Sequence, residues 1–420
     1  MTIPQTLSLV LLIVVLALAV WKKVNIGTLS LGAAFVLVLV AGVDPDEMYG
    51  AFPASLVVLI IGVSLMFSHL QLSGAVHWVI DGAFRVVGDR KVLIPWVGFV
   101  LGGFLSTVGV FGTGPVAVLV PLVAFISVSY KGTYLINALG VIMGSIGLGM
   151  SPLNPTGATV SQLAADAGVT YSEWGLWLVA VVVTAVALAV LQVVFTALGK
   201  RGRLLIEPQA AQVEEGQNSG GVENRIYAVS SLVGLAVFVV CVVVFGLDVG
   251  LTSMAVAAVL QLVFRPAQKE MFNQVPWGAV LLIGGLLTYL GLLRSVGTID
   301  AVQDAIGGAA SGVLLLLALA YLTALLCNVE SSALGVLSMT MPLVFGFFAG
   351  SPSIFWIVAA VAVPSGLMVM NPIHIAGTLV VGNAEEERQN DVFRIFMVTS
   401  LGMTAVAPGV LSLIPLVTGL

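Results

Sequence analysis

From Ile3 to its last leucine the chain returns repeatedly to apolar runs of about 20 residues, the length that crosses a bilayer as an α-helix. In hydrocarbon every backbone N–H and C=O must find a partner within the segment, so such runs admit helices and little else. Only 8% of the 420 residues are charged and 59% are apolar. A water-soluble domain carries about 25% charged residues, so too little polar surface remains to face water. A soluble enzyme, a nucleic-acid-binding domain and a disordered chain are all excluded. The reading is an all-α polytopic membrane protein with room for roughly ten to twelve spans.

Cys241 and Cys327 lie far apart in apolar surroundings, which fits neither a metal site nor a redox pair. The first twenty residues lack the basic segment of a signal peptide, and Lys22 and Lys23 follow the apolar stretch. A retained first span is the expectation.

Laid against itself at an offset of 223, the sequence repeats: Gly27 falls on Gly250, Met48 on Met271, Pro53 on Pro276, Gly62 on Gly285 and Gly74 on Gly297. Beyond that the offset drifts, but Pro121-Leu122 answers Pro342-Leu343 and Asn154-Pro155 answers Asn371-Pro372. The polar stretch 200–225 between the halves reads as a linker. The predicted organisation is two inverted repeats, 1–199 and 226–420, each of about five spans plus a helical hairpin. In the first, spans are expected over 4–21, 26–43 and 54–72, then an interfacial segment 74–89 carrying His77, Asp81 and Arg85. A hairpin over about 92–129, a broken helix over about 133–165 and a span over 174–198 follow. The second repeat has spans near 227–246, 250–264 and 277–293. A hairpin over about 311–348, a broken helix over about 353–382 and a span over 393–416 complete it.

Charge gives an independent check. If each hairpin returns to its starting side and the N-terminus lies outside, fourteen of the fifteen Lys and Arg fall on one face, and only Arg294 falls on the other. That is the bias expected of a cytoplasmic face. It puts both termini outside a plasma (inner) membrane and the linker in the cytoplasm.

Inverted repeats with matching broken helices mark secondary transporters, because unwound backbone is tolerated at membrane depth only where it lines a cavity or meets a ligand. One proline kink is commonly a matter of packing, but two at matching places argue for a site. The hairpin tips are the second paired feature. Ser106 to Pro115 offers hydroxyls and glycines, and Asn328-Val329-Glu330-Ser331-Ser332 offers an amide, a carboxylate and two hydroxyls. Glu330 is the one acid expected inside the membrane, where a carboxylate is by default a proton relay or cation ligand. His374 can donate to an anion or carry a proton.

Neither a metalloprotease His-Glu-x-x-His, a Gly-x-Ser-x-Gly elbow nor a phosphate-binding loop is present, so no enzyme machinery is visible. The segments 92–130, 132–199 and 295–387 hold no Lys or Arg. An anionic substrate would therefore be held by helix N-termini, backbone N–H groups and hydroxyls.

Gly50-Ala51-Phe52-Pro53, Leu93-Ile94-Pro95-Trp96-Val97, the run Phe111-Gly112-Thr113-Gly114-Pro115 on to Pro121, and Gly149-Met150-Ser151-Pro152 resemble the malonate/dicarboxylate carrier (MatC) family. That family is related to the divalent-anion/sodium symporters. The resemblance implies a scaffold, a mobile transport domain with two re-entrant hairpins, elevator-type motion and a homodimer. Where the divalent-anion symporters carry Ser-Asn-Thr at each tip, this chain has Val110-Phe111-Gly112-Thr113 and Asn328-Val329-Glu330-Ser331-Ser332.

The expected function is secondary active transport of a small organic dianion, malonate or a C4-dicarboxylate, in symport with cations. The expected substrate ligands are Thr113, Asn154, Thr156, Ser331, Ser332 and Asn371, with His374 as a donor. Ser145, Asn328, Glu330 and Ser365 are the expected cation-site residues. Na+ or H+ is the coupling ion, and no cofactor, other metal or nucleic acid is called for. A cation/proton antiporter using Glu330 is the alternative, and a membrane-embedded enzyme or channel a more distant one.

Overall fold

The computed structural model describes residues 2–22, 24–76, 78, 79, 82, 91–128, 132–199, 206, 208, 224–299, 301, 312–329 and 333–418. His77, Asp81, Arg85, nearly all of the linker, and Glu330, Ser331 and Ser332 lie outside the described residues. The described chain is helical from end to end, and its one β-bridge pairs Pro208 with Ala384.

In the first half the helices are α1 (Ile3–Lys22), α2 (Ile26–Ala41), α3 (Pro45–Gly50), α4 (Ala54–Leu72), α5 (Ile94–Thr107), α6 (Thr113–Val128), α7 (Tyr134–Gly147), α8 (Pro155–Asp166) and α9 (Glu173–Gly199). In the second they are α10 (Arg225–Val243), α11 (Val249–Phe264), α12 (Gln268–Asn273), α13 (Trp277–Ser295), α14 (Gly312–Val329), α15 (Ala333–Phe348), α16 (Ile354–Met368), α17 (Ile375–Gly382) and α18 (Gln389–Thr418). Six stretches among the described residues are long and apolar enough to cross a membrane, and eight shorter apolar helices accompany them. The chain is a multi-pass membrane protein.

Local chemistry sets the helix ends. Asn25 and Asp248 stand just before α2 and α11, and each accepts from backbone N–H groups of the first turn. Both helices close on a left-handed residue, Gly42 at φ 65° and Arg265 at φ 48°. Pro53 and Pro276 open α4 and α13 with nearly the same backbone angles. These coincidences are general: adding 223 to the limits of α2, α3 and α4 gives the limits of α11, α12 and α13 to the residue.

The two sets pack on each other, α2 against α13 and α4 against α11. Glycine makes this possible. A methyl on Gly62 would lie 2.6 Å from the Gly250 carbonyl oxygen, and one on Gly285 would overlap the backbone of Gly27. Under the 223 offset these two contacts exchange, the self-complementary pattern of a two-fold axis.

The remaining helices build the part that carries the unwound segments. α5 packs along α7, and α6 returns beside it. With 14 and 16 residues, α5 and α6 reach about 21 and 24 Å, short of the roughly 30 Å of bilayer hydrocarbon. Their turn lies against Leu153 and Asn154 in the break between α7 and α8. α14, α16 and α18 pack together in the corresponding place, with α15 against α8 and α13.

Candidate functional site

Each half ties its hairpin tip to its own break through one asparagine. In the first, Asn154 caps α8: its Oδ1 accepts from Thr156 N at 3.0 Å. The amide of the same side chain donates to Ser106 O at 2.9 Å and Val110 O at 3.0 Å, on either side of the tip. Ser151 Oγ donates to Thr107 O, and Trp177 Nε1 to Thr107 Oγ1. Gly109, at φ +111°, lets the tip close up, for a methyl there would meet Leu153 O at 2.8 Å.

In the second half Asn371 Oδ1 accepts from Ile373 N, while its amide donates to Asn328 Oδ1 at 2.9 Å and Asn328 O at 3.2 Å. Asn328 is held in turn: its amide donates to Ala324 O and Thr404 Oγ1, and its Oδ1 also accepts from Ser400 Oγ. Trp177, Ser400 and Thr404 were not read from the sequence. The last two could have been, since a hydroxyl pair four apart on an apolar helix shares one face.

The breaks differ in how the second arm restarts. Pro155 is the first residue of α8, where a missing N–H costs nothing. Pro372 precedes α17 by three residues, and His374 caps that helix, its Nδ1 accepting from Ala376 N at 3.3 Å. With Nδ1 accepting, the neutral ring carries its proton on Nε2.

A cavity of about 740 Å³ lies between these arms and the packed helices α2 and α13, which with their repeat partners α11 and α4 form the scaffold. Its walls include the N-terminal ends of four helices: Gly112 and Thr113 at α6, Thr156 at α8, Ala333 and Leu334 at α15, and His374 and Ile375 at α17. The N-terminal ends of α2 and α13 close the other side through Asn25, Pro276 and Gly278. Asn25 also ties those two helices, donating from Nδ2 to Gly278 O at 2.8 Å. No Asp, Glu, Lys or Arg stands among the described residues lining this cavity. Among the described residues its field comes from helix ends, each equivalent to about half a positive charge. Such a site suits an anion.

Thr113, Thr156 and His374, expected to bind substrate, line this cavity together. Asn154 and Asn371 do not: both are buried behind it, with their amides engaged by the tips and their carbonyl oxygens by the helix starts. An asparagine that caps a helix points its amide away from the open end, and here that direction is toward the hairpin. Ser145, Asn328 and Ser365 are buried away from the cavity. Ser365 Oγ donates to Ala362 O, and Ser145 Oγ is without a partner. Glu330, Ser331 and Ser332 fall outside the described residues. Among the described residues no group of His, Cys, Asp and Glu is arranged to hold a metal ion.

The class defined by this bundle, with its tips and breaks, is a multi-pass helical membrane protein. Residues 1–149 match the family model described as "Dicarboxylate carrier protein MatC N-terminus", in agreement with the resemblance carried by Gly50–Pro53 and Phe111–Pro121. The crystal structure of the Alcanivorax borkumensis YdaH transporter shares the fold, with a TM-score of 0.56 at 16% identity over 88% of this chain and 89% of that one. No curated protein matches the chain.

Proposed function

We propose that the protein carries a small organic dianion, malonate or a C4-dicarboxylate, across the cell membrane by cation-coupled symport. The observation that carries this reading is the first cavity, where four helix N-termini from both halves meet and no ionic side chain of the described residues intrudes. The match of residues 1–149 to a dicarboxylate carrier model supports the substrate class. Thr113 and Thr156 supply hydroxyls, and His374 supplies an Nε2–H donor. The two-fold packing of α2 and α4 on α11 and α13 supports inverted repeats, since an axis in the membrane plane would turn one half over.

Energetics favour the coupling, for which a steep inward substrate gradient is the substitute. A dianion entering an inside-negative cell works against about 4.6 kcal/mol per 100 mV, at about 2.3 per charge. Cotransported cations, Na+ or H+, offset that cost. In the alternative, a cation/proton antiporter, Glu330 would be the exchanging carboxylate; it lies outside the described residues, three positions before the cavity-lining Ala333.

The deciding experiment is uptake of labelled malonate and succinate into proteoliposomes with and without a sodium or proton gradient. Saturable, gradient-driven uptake is expected. Cation exchange with no diacid flux would replace this reading with the antiporter. Orientation is tested with a cysteine at Asn218 in a background lacking Cys241 and Cys327. It should react with an impermeant thiol reagent in inverted vesicles and stay unlabelled in intact cells.

A further inference from the structure

A second cavity, of about 560 Å³, lies at the other end of the same helices. α13 begins at the first cavity with Pro276 and ends at the second with Arg294, about 27 Å away along a helix of 19 residues. α8 does likewise, from Thr156 to Asp166. The residues that open α4, Pro53 to Ser55, border the second cavity, and 223 residues on their counterparts Pro276 and Gly278 border the first. The second cavity is thus the scaffold's repeat-related counterpart of the first.

Its chemistry is different. Arg294 stands in its wall, with Gln162, Asp166 and Ser55 as the other polar groups and Phe52, Leu287 and Leu290 among the apolar ones. Among the described residues no carboxylate pairs with Arg294: the ion pair found there joins Arg388 and Asp391. Its guanidinium makes one long contact, donating to the Asp166 main-chain oxygen at 3.5 Å. The Asp166 carboxylate is turned to Gln162, whose amide donates to Oδ1 at 2.9 Å. Arg294 is also the one basic residue that the charge bias leaves on its own face, where Asp44, Asp46, Glu47, Asp166, Glu173, Asp248, Asp300 and Asp304 are its ionic neighbours in the sequence-derived topology. A guanidinium that no described carboxylate pairs, in a cavity on an acidic face, is the one basic group among the described lining residues able to draw in an anion.

We propose that the second cavity is a capture site for the transported diacid, in which Arg294 forks onto one carboxylate. This rests on the dianion reading of the first cavity. A guanidinium matches a planar carboxylate with two parallel N–H donors. Helix ends act over about one turn, whereas a full charge acts over about a Debye length, 8–10 Å at moderate salt. The first cavity holds the anion and the second recruits it. The Asp166 carboxylate opposes capture, which fixes the sign of a second variant.

The test uses the full-length protein in detergent, where both faces meet the solution, and in proteoliposomes. Binding and transport of labelled malonate are measured at low and high ionic strength for the parent, R294Q, R294K and D166N. For R294Q the expected results are a KM raised about tenfold, a much smaller loss in kcat, and a flattened salt dependence. R294K should lie between R294Q and the parent, because it keeps the charge and loses the fork. D166N should lower KM. A parent that transports malonate beside an R294Q with the same KM and salt slope would overturn the capture site and leave the first cavity's role standing. Should R294Q fail to fold, D166N decides: a KM unchanged or raised also overturns it. A parent that neither binds nor transports a diacid would overturn the dianion reading and the capture site with it.

Discussion

The two halves agree to the residue in one region and disagree in another. From Ile26 to Leu72 every helix limit recurs 223 residues later. At the breaks the offset shrinks to 217 between Asn154 and Asn371, the residue that caps the second arm changes from Asn to His, and the partners of the tip asparagine differ. The first region has no slack. Where backbone lies on backbone through Gly27, Gly62, Gly250 and Gly285, one inserted residue would turn a side chain into the contact. The arms around the cavity are asymmetric, as a substrate without two-fold symmetry in its surroundings allows. Scaffold register is fixed by sterics and site register by hydrogen bonds.

That contrast can be broken, most forcefully at the glycines. Gly285→Ala and Gly62→Ala should each cost about 1–3 kcal/mol or more through overpacking, well beyond the roughly 1 kcal/mol that alanine returns in helix propensity. Both should reduce the yield of monodisperse protein to a similar extent. Gly278→Ala, whose methyl would meet nothing closer than Asn25 Nδ2 at 3.9 Å, is the control. Parent-like yields for both variants would refute a two-fold contact made by backbone.

The asparagines come next, and here the halves should differ. Asn154→Ala strands the Val110 carbonyl, leaves Ser106 O with Gly109 N alone and removes the α8 cap, for a cost of roughly 2–4 kcal/mol. Asn371→Ala should cost less, because Asn328 keeps Ser400, Thr404 and Ala324. Thermal unfolding of the purified variants reads the order, and a reversed order would contradict the bonding described. Asn137, outside both breaks, is a poor control because it is buried and donates to Ser127 and Thr133. Exposed Asn273 serves instead.

A smaller effect separates capping from binding. His374→Asn keeps an acceptor at the start of α17 and removes the Nε2–H. It should leave the melting temperature near the parent's and weaken diacid affinity about tenfold. His374→Ala should show the same affinity loss together with about 1 kcal/mol of lost cap. If His374→Asn lowers stability and spares affinity, His374 belongs to the fold alone. Smallest of all, Thr156→Val should weaken affinity by roughly threefold, because it removes one hydroxyl from a wall that has several other donors.

Much of this architecture could be read from residues alone. Apolar run lengths and the Pro53 and Pro276 punctuation gave α4 and most of α13 their limits, and Gly-containing runs ending in Asn-Pro fall at both breaks. What escaped was direction. Spacing places Asn154 and Asn371 beside the cavity, but the capping bond decides which way the amide faces, and it turns both from the cavity to the tip. Asn25 and Gly278 escaped because they belong to scaffold helices 253 residues apart that only tertiary packing joins. Arg294 was visible as the exception to the charge bias, and its cavity was not.

The glycine contacts also bear on how the chain is made. Gly27 and its partner Gly285 are 258 residues apart. At a synthesis rate of about 5–20 residues per second, α2 is complete for roughly 13–50 s before α13 exists to receive it. Throughout that interval the first half sits in the bilayer with its flat glycine faces toward lipid or another nascent chain. An identical first half on a neighbouring ribosome presents Gly62 in the place of Gly285 and Gly27 in the place of Gly250, the repeat-related faces but not the native ones. The repeat that gives the finished protein its axis therefore makes the half-made protein incomplete in its own scaffold, and final assembly must wait for the second half.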